Sequence, residues 1–494
     1  MGSRRFKIFL GVSIFSIIIY CNKSVLPDRP KIPFPKVSYG SKNSNSTDPL
    51  NALALPHDYD EKPVGDEYCE ERYGLSFMEP FRDSLNAYCD PVTSASTMEC
   101  LHTRVNPNHH DPFCILNNVM LDRQGGNHSF TLDCNLRNFT ADPGKNEPKD
   151  LYSFHKYMFG EGPRAAFVNH FIHTNTTNPM PDKTLKALST CKSGSKSKNW
   201  KIVINRDAHG GRHPWHSLME IFSMYITLDI MRSTARPLDG KPFFSPEDIP
   251  DTQVIITDSH PDHNLYELWN LLGFKSVMRL PDYLASENAT CLDNVLFPLA
   301  GGSNTMWHGD WRLKDCRNSR FLDIFIDRIM GHYGIDHTRK SDGPIVVTFI
   351  DRRGRRKFRD QAKHVKRFQE NFPNVKVNVV DFADIPYSEQ IRIVAKSDIL
   401  AGIHGAALTH AMYLPPQSSV VEIQPYKLKH RGFRNLAKLL GHRYFNTHCF
   451  EDPTADPNWH KVTDIAIEDE KFDDVMKAAV WSVYNSRTLG IDIS

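Results

Sequence analysis

The segment DILAGIHGAALTH, residues 398–410, joins an apolar run to a cluster of small residues and two histidines. It predicts a strand over 398–403, a tight turn, and a helix that starts at about residue 406. The first N–H groups of a helix have no partner inside it, and the helix dipole adds partial positive charge there. The turn is therefore predicted to bind a phosphate, with a purely structural turn as the alternative. The residues assigned to this anion site are Gly402, His404, Gly405, Ala406, Ala407 and Thr409.

The elements that would position this turn alternate between short β-branched runs and stretches with helical spacing of apolar residues. Predicted strands cover 201–205, 252–257, 293–300, 345–350, 375–380, 398–403 and 419–423. Predicted helices cover 216–232, 264–274, 317–333, 360–371, 388–396, 405–413, 430–440 and 469–485. Short apolar runs separated by helices are typical of a parallel sheet covered on both faces. The sequence therefore predicts an α/β fold of two Rossmann-like, doubly wound domains, with a ligand cleft at the carboxyl ends of the strands.

The chain also divides by composition. A polar, glycine-containing break over 331–344 separates the two predicted domains. Proline, serine and asparagine dominate 22–62, which predicts a disordered stem because such a segment buries too little apolar surface. The predicted organisation is a cytoplasmic tip and signal-anchor at 1–21, the stem at 22–62, an N-terminal domain with a cysteine-rich start at 63–335, a C-terminal domain at 336–450, and a tail with a closing helix at 451–494.

The N-terminal segment carries a membrane signal. Arg4, Arg5 and Lys7 precede an uncharged run over 8–21, which as a helix would span about 21 Å, less than the roughly 30 Å hydrocarbon core of a bilayer. The run does not end in an Ala-x-Ala-like site, which favours a type II signal-anchor over a cleaved signal peptide or a buried core helix. The positive flank should remain cytoplasmic and leave the remaining chain in the lumen.

The cysteines fit that location. Of ten, Cys21 lies in the apolar run and five crowd into 69–134, without a Cys-x-x-Cys pair. This spacing disfavours structural zinc and thioredoxin-like chemistry. Disulfides are the expectation in an oxidising compartment, and the odd number outside the apolar run leaves at least one thiol. Buried free cysteines are the alternative.

Composition excludes some classes of protein. Lys and Arg number 60 and Asp and Glu 58, so the net charge is +2. That balance argues against a dedicated nucleic-acid-binding protein, which usually carries a strongly basic surface. Hydrophobic residues at 40% and aromatic residues at 11% are enough for a sizeable core, which excludes a disordered chain.

The phosphate-binding turn also resembles a known family. The pattern Gly-x-His-Gly-Ala-x-Leu-Thr-His over 402–410, followed by Val-Val-Glu-Ile over 420–423, is similar to glycosyltransferase family 61. That family includes plant core β-1,2-xylosyltransferases and EGF-domain O-linked N-acetylglucosamine transferases. Ala407 stands where a member usually has glycine. Further matching pieces are HSLME at 216–220, ITD at 256–258 and DRR at 351–353, so the resemblance covers roughly 200–450.

The resemblance implies an inverting glycosyltransferase of the GT-B type. Its donor would be a UDP-sugar, of xylose or N-acetylglucosamine, and its acceptor a hydroxyl of a glycan or glycoprotein. No obligatory metal cofactor is expected. The N-terminal domain would lie on the acceptor side and the C-terminal domain would bind the donor. The expected location is the Golgi or endoplasmic reticulum membrane, with a single type II span and a luminal catalytic domain.

Donor-binding roles follow from the same resemblance. Arg352 and Arg353 come directly after a strand, and guanidinium groups suit phosphate oxygens; a solvated basic turn is the alternative. His404 is expected to donate to the same diphosphate. Glu422, at another strand end, is expected to accept both ribose hydroxyls, against an ordinary salt bridge.

The N-terminal domain is expected to supply the base that deprotonates the acceptor hydroxyl. His216 and Glu220 are four residues apart and share one helix face, so Glu220 is expected to orient His216 as the base. A histidine paired with its own turn is the alternative, and Asp258 is the rival base.

Two other functions use the same residues. His209, His213, His216 and Glu220 could hold zinc in a hydrolase, but the spacing is not His-Glu-x-x-His. An Asp-x-Asp pattern, which could bind a nucleotide through a metal ion, occurs only at 58–60, in the predicted stem. A homologue that binds a nucleotide sugar without turnover is the second alternative.

Overall fold

The computed structural model describes part of the chain. All the described residues fall within one compact unit. They are residues 59, 67–82, 84–106, 109–121, 130–137, 162–164, 167, 171–173, 196–197, 199–207, 213–262, 264–289, 291–307, 310–336, 343–451 and 464–489. The predicted signal-anchor and nearly all of the predicted stem lie outside these residues, and so do His209, Asp58 and Asp60. Within the described ranges, no helix is long and apolar enough to cross a bilayer.

The first sheet has seven strands and combines parallel with antiparallel pairing. Its order is β1-β2-β3-β12-β8-β9-β10. The strands are β1 (Asn86–Ala87), β2 (Thr97–Asn106), β3 (His109–Asn117), β8 (Lys201–Ile204), β9 (Gln253–Ile256), β10 (Met278–Arg279) and β12 (Val295–Phe297). The last four pair in parallel, whereas β1, β2 and β3 form an antiparallel extension. The first predicted domain is therefore α/β, but its sheet is mixed, because the cysteine-rich segment adds a hairpin to the parallel strands.

A smaller sheet has five strands, in the order β6-β5-β4-β11-β7. Its strands are β4 (Val119–Leu121), β5 (Phe130–Leu132), β6 (Phe171–His173), β7 (Lys196–Ser197) and β11 (Cys291–Leu292). Sequence periodicity did not predict them, because runs of two or three residues are too short to show a pattern.

The second main sheet is entirely parallel, in the order β15-β13-β16-β17-β18. The strands are β13 (Ile345–Ile350), β15 (Val375–Val380), β16 (Ile399–Ile403), β17 (Ser419–Gln424) and β18 (Arg443–His448), and β14 (Lys357–Phe358) pairs separately with β19 (Asp464–Ile465). In chain order this is the doubly wound arrangement 2-1-3-4-5. Four of its five strands agree with the predicted runs, and β18 was missed because its burial alternates weakly.

The helices cover these sheets. They are α1 (Glu67–Tyr73), α2 (Glu79–Arg82), α3 (Pro214–Arg232), α4 (Leu280–Ser286), α5 (Arg320–His332), α6 (Gln361–Asn371), α7 (Tyr387–Val394), α8 (Gly432–Leu439) and α9 (Asp469–Leu489). The 3-10 helices are Leu75–Phe77, Pro246–Asp251, Tyr266–Asn270, Gly301–Ser303, Phe382–Asp384 and Ala406–Tyr413. The helices predicted over 264–274 and 405–413 are thus 3-10 helices, and the first is shorter than expected.

Helix α3 connects the two main sheets. It begins with Pro214, a residue that suits the first position of a helix, and every residue from His216 to Arg232 is buried. A helix buried on all faces belongs to the interior of a protein. It packs against two 3-10 helices, Gly301–Ser303, which follows β12 of the first sheet, and Ala406–Tyr413, which follows β16 of the second. Helix α3 therefore fixes one sheet relative to the other.

Disulfides form in the cysteine-rich start, as predicted. The pairs are Cys69–Cys316, Cys89–Cys134 and Cys100–Cys114, and Cys291 is disulfide-bonded as well. Cys449 is a buried free thiol, in agreement with the odd count. The bond from Cys69 to Cys316 joins α1 to the segment before α5, across 247 residues.

Candidate functional site

The carboxyl ends of β13 and β16 form a corner of the second sheet that we call the second corner. The chain leaves β13 toward β15 on one side, whereas β16 lies on the other side, so the two strand ends enclose a topological switch point. Ligands of open α/β sheets bind at such crevices. Arg352 follows β13 here, and His404 and Gly405 follow β16.

The Arg352 guanidinium lies directly on the glycine of the turn. Its Nη1 donates to the His404 carbonyl at 3.1 Å and its Nε donates to the Arg355 carbonyl at 3.1 Å. A Cβ atom placed on Gly405 would lie 1.7 Å from Nη1. Only glycine therefore leaves room for the guanidinium in this position.

Two partly buried arginines of the second corner, Arg352 and Arg356, have perturbed guanidinium groups. No carboxylate of a described residue lies within ion-pair distance of Arg352, and burial lowers the pKa of its guanidinium. Burial, together with the charges of Arg352 and Arg355, lowers the pKa of Arg356 to about 10. A lowered pKa means that the cationic form is destabilised, so a bound anion would stabilise both side chains.

Arg353 has a different environment. Its side chain is 66% exposed and lies close to three carboxylates, those of Asp351 at 3.1 Å, Asp384 at 2.9 Å and Asp381 at 3.6 Å. The sequence predicted the same role for both arginines, but their environments differ. Arg353 forms ion pairs with carboxylates, whereas Arg352 forms none among the described residues.

His404 and Glu422 contact each other on adjacent strands. His404 Nδ1 donates to Glu422 Oε1, and the Tyr444 hydroxyl donates to Glu422 Oε2. Glu422 has no exposed surface. Both of its oxygens already have protein partners, so the geometry favours a role in holding His404 over the predicted contact with ribose.

The remaining predicted donor residues have unequal access. Ala406 and Ala407 are partly exposed and line a cavity. Thr409 is buried. Gly402 faces the β13 residue Ile350, where an added Cβ would lie 3.1 Å from Cβ of that side chain, so Gly402 serves close packing of the two strands.

The corresponding edge of the first sheet, at the carboxyl ends of β8, β9 and β12, we call the first corner. Arg206 follows β8, and Asp258 follows β9. The Arg206 Nη2 lies 2.8 Å from Asp258 Oδ1, and both side chains are buried. Burial alone would raise the pKa of Asp258, but the hydrogen bonds and charge of Arg206 outweigh it and lower the pKa. A buried, paired carboxylate of low pKa is a poor proton acceptor, which disfavours Asp258 as the base.

His216 is oriented by Asp207 and not by Glu220. Its Nδ1 lies 2.8 Å from Asp207 Oδ2, so Nδ1 carries the proton and the carboxylate accepts it. Glu220 instead accepts the backbone N–H of Asp207 at 2.8 Å. Burial, and then the charge of Asp207, raise the pKa of Glu220. The expected pair is therefore corrected: Glu220 holds the main chain of the residue that orients His216.

Two cavities lie between the start of α3 and the second corner. One, of about 440 Å³, is lined by Arg352, Arg353, Arg356, Phe382, Ala406 and Ala407 among others. The other, of about 350 Å³, is lined by His216 of the first sheet and by His404 and Gly405 of the second. His213, Arg356 and Ala406 line both. The predicted His216, Arg352, His404, Gly405, Ala406 and Ala407 thus meet around one divided cleft, whereas Glu220, Asp258, Gly402, Thr409 and Glu422 line neither cavity.

Sequence reasoning missed several residues of this cleft. Asp207 was identifiable as a carboxylate just after a predicted strand, in the same position as Arg352 in the second sheet. Asp310, Trp307 and Trp311 line the 350 Å³ cavity from an irregular segment, and irregular segments carry no periodic signal.

Among the residues described, no group of three or more His, Cys, Asp or Glu side chains could hold a metal ion. His213 and His216 stack edge to face, with ring centroids 4.2 Å apart, and His209 lies outside the described residues. The expected absence of an obligatory metal stays a prediction.

Comparison with known proteins confirms the resemblance to glycosyltransferase family 61. Residues 291–421 match the family model described as Glycosyltransferase 61. Relatives named EGF domain-specific O-linked N-acetylglucosamine transferase are 24% identical in Drosophila melanogaster, over 47% of this chain and 42% of the relative, and 29% identical in Mus musculus, over 49% and 45%. The Xenopus laevis relative is 30% identical over 27% and 25%. The matched region spans less than half the length of these relatives.

Among solved structures, a D-isomer specific 2-hydroxyacid dehydrogenase from Xanthobacter autotrophicus Py2 is similar at 11% identity. The alignment covers 60% of this chain and 96% of that one, with a TM-score of 0.15. No inference about fold or function rests on a score this low.

Proposed function

We propose that this protein is an inverting glycosyltransferase that transfers a sugar from a UDP-sugar to a hydroxyl of a glycan or glycoprotein. Xylose and N-acetylglucosamine are the sugars that the family resemblance favours. The two main sheets would act as the two Rossmann-like halves of a GT-B enzyme, with the donor on the second sheet and the acceptor near the first.

One observation carries the proposal. The Arg352 guanidinium, without an ion-pair partner among the described residues, lies on Gly405 at a switch point that opens into a cavity. A diphosphate in this position would meet Arg352, Arg356 and the first N–H groups of the 3-10 helix that begins at Ala406. Charge-assisted hydrogen bonds to phosphate oxygens are strong, and they strengthen as the leaving diphosphate gains charge.

His404 would act on the same leaving group. Its Nδ1 is committed to Glu422, whose buried carboxylate can balance an imidazolium charge. An imidazolium donates through both nitrogens, so Nε2–H would face the diphosphate. Glu422 and Tyr444 would then orient a proton donor and would not contact the ribose.

The acceptor would be activated from the opposite wall. Asp207 would hold His216 with its proton on Nδ1, and Nε2 would then accept the proton of an acceptor hydroxyl bound in the cavity that His404 also lines. During transfer the acceptor oxygen would form a bond to the anomeric carbon, the bond to the diphosphate oxygen would break, and His216 would take the hydroxyl proton. Attack opposite the leaving group inverts the anomeric centre.

The proposed location is the lumen of the secretory pathway. The disulfides support it, because such bonds persist in oxidising compartments. The membrane anchor remains a proposal that rests on the apolar run at 8–21.

The test is UDP-dependent thermal stabilisation of the full-length protein, followed by a screen of UDP-sugars for transfer. Gly405→Ala should abolish the stabilisation because its Cβ would displace Arg352. Gly331→Ala is the matched control, since a Cβ there meets no atom within 4 Å. Equal stabilisation of both variants would refute the diphosphate site. Stabilisation without transfer of any sugar would identify a nucleotide-sugar-binding homologue without turnover.

A further inference from the structure

The 350 Å³ cavity contains a carboxylate that the proposed transfer does not use. Asp310 lines this cavity, and its side chain is 20% exposed. No described residue donates a hydrogen bond to its carboxyl oxygens; the nearest ion-pair partner is His430, with Nε2 at 3.9 Å. Its main chain is held firmly, because the Arg431 N–H donates to its carbonyl at 2.6 Å.

Two tryptophans, Trp307 and Trp311, line the same cavity as this carboxylate. Trp307 packs edge to face against His216, with ring centroids 4.7 Å apart, and Trp311 packs against His430 at 5.0 Å. Trp311 is 59% exposed although it lines the cavity. An exposed indole that lines a cavity offers a flat apolar face on which a ligand ring can stack.

We propose that Asp310 and Trp311 form a subsite for a sugar unit of the acceptor, with the carboxylate accepting sugar hydroxyls and the indole stacking on the ring. A pyranose offers adjacent hydroxyl donors at its rim and a face of C–H groups. The negative face of an indole attracts such C–H groups, and a carboxylate accepts from two hydroxyls. This inference rests on the proposed function only in naming the bound sugar as the acceptor.

Charge and exposure favour the acceptor over the donor. An anionic Asp310 would repel a diphosphate, and it lines the cavity that lacks Arg352. Trp311 opens toward solvent, where a glycan extends beyond the cleft, whereas a donor sugar would be enclosed between the diphosphate and His216.

The charge environment makes the subsite sensitive to pH. Burial raises the pKa of Asp310 to about 7, and Lys314 opposes the shift. The other titratable or charged groups at this cavity are His213, His216, Arg356, His404 and His430. A protonated Asp310 accepts hydroxyls less well, so sugar affinity should weaken as pH falls below about 7.

The experiment titrates methyl glycosides of xylose, mannose and N-acetylglucosamine into the full-length protein, with and without saturating UDP, by tryptophan fluorescence and saturation-transfer NMR. At least one glycoside should bind. Asp310→Asn should weaken binding about tenfold or more because a charge-assisted hydrogen bond is lost, and Trp311→Ala should weaken it about tenfold because the stacking face is lost. Leu313→Ala is the control, because Leu313 is 62% exposed and does not line the cavity.

The possible results separate this inference from the proposed function. UDP-dependent stabilisation should be the same in wild type and all three variants. If no glycoside binds the wild type, if the two variants bind it normally, or if they instead weaken UDP-sugar affinity, the subsite is refuted. If the wild-type protein does not bind UDP, the proposed donor is refuted, and the glycoside titration without UDP still tests the subsite.

Discussion

The two corners of the molecule share an architecture and differ in charge compensation. In each, an arginine lies two residues beyond the end of a parallel strand, at the carboxyl edge of the sheet where the neighbouring strands on the two sides come from different parts of the chain. At the first corner, Arg206 is paired with Asp258 at 2.8 Å and further neutralised by Asp262. The space between the strand ends there is only about 20 Å³. At the second corner, Arg352 has no ion-pair partner among the described residues and opens into about 440 Å³. Both corners lie at strand ends, but only at the second does an arginine without an ion pair among the described residues line an open cavity, and this is the position proposed for the diphosphate.

The largest expected effect follows from removing the carboxylate that orients His216. Asp207→Asn should reduce transfer by roughly 10²–10⁴-fold, the range of general-base catalysis, because the imidazole loses the partner that fixes its tautomer. UDP affinity should not change. Steady-state transfer assays with isothermal titration of UDP measure both quantities.

Glu220→Gln is the control for that change. Because the pKa of Glu220 is raised, a neutral amide imitates its protonated form and still accepts the Asp207 N–H. Transfer should stay within a few-fold of wild type. Equal losses in the two variants would show that Glu220 acts on His216 after all.

The next effect concerns stability at the first corner. Arg206→Gln should lower the free energy of unfolding by about 3–5 kcal/mol, because it leaves Asp258 buried without its counter-charge. UDP affinity should be retained. Urea denaturation measures the loss, and adding Asp258→Asn to the same variant should recover part of it. A stable Arg206→Gln protein would contradict the structural role given to this pair.

A smaller effect is expected at the second corner. Arg352→Gln should weaken UDP binding about tenfold to a hundredfold, as expected for a lost charge-assisted contact to phosphate. It should not destabilise the fold, since no described carboxylate loses an ion-pair partner. Arg353→Gln should weaken binding only a few-fold, because its charge is already neutralised. Calorimetric titration of UDP measures both affinities. A larger loss of affinity in Arg353→Gln than in Arg352→Gln would reverse the roles given to the two arginines.

The smallest effect concerns Asp310, the partly buried acidic side chain of the cleft. Its pKa rises from an ordinary 3.8 to about 7 on folding, because burial disfavours the carboxylate. The folded protein binds this proton more tightly, so stability should fall as pH rises between these values. Asp310→Asn should remove ~2 kcal/mol of that fall, less than the full shift implies because the side chain reaches the cavity. Denaturation midpoints at several pH values measure it, and an unchanged pH profile would count against the buried carboxylate.

Much of the fold could be predicted from the sequence, and the parallel strands β8, β9, β13, β15, β16 and β17 lie where apolar runs placed them. Helix α3 was predicted to within two residues, because an apolar stretch of this length is too long for a strand. The hairpin β2–β3 and the strand β18 were not predicted, since paired extended segments with irregular burial lack a local pattern. Among the site residues, those of the 402–410 turn were identifiable because glycine, alanine and histidine after a strand have a local physical meaning.

What the sequence determined by itself is the order of strands and helices and the turn that follows β16, because hydrophobic spacing and turn chemistry act over a few residues. The tertiary structure alone decided that Asp207 and not Glu220 orients His216, that Arg206 is neutralised while Arg352 is not, and that Asp310 faces the cleft. The partners in these contacts lie 9 residues apart for Asp207 and His216 and 52 residues apart for Arg206 and Asp258. Their energies depend on burial and on distances of a few ångströms, which no local pattern of residues specifies.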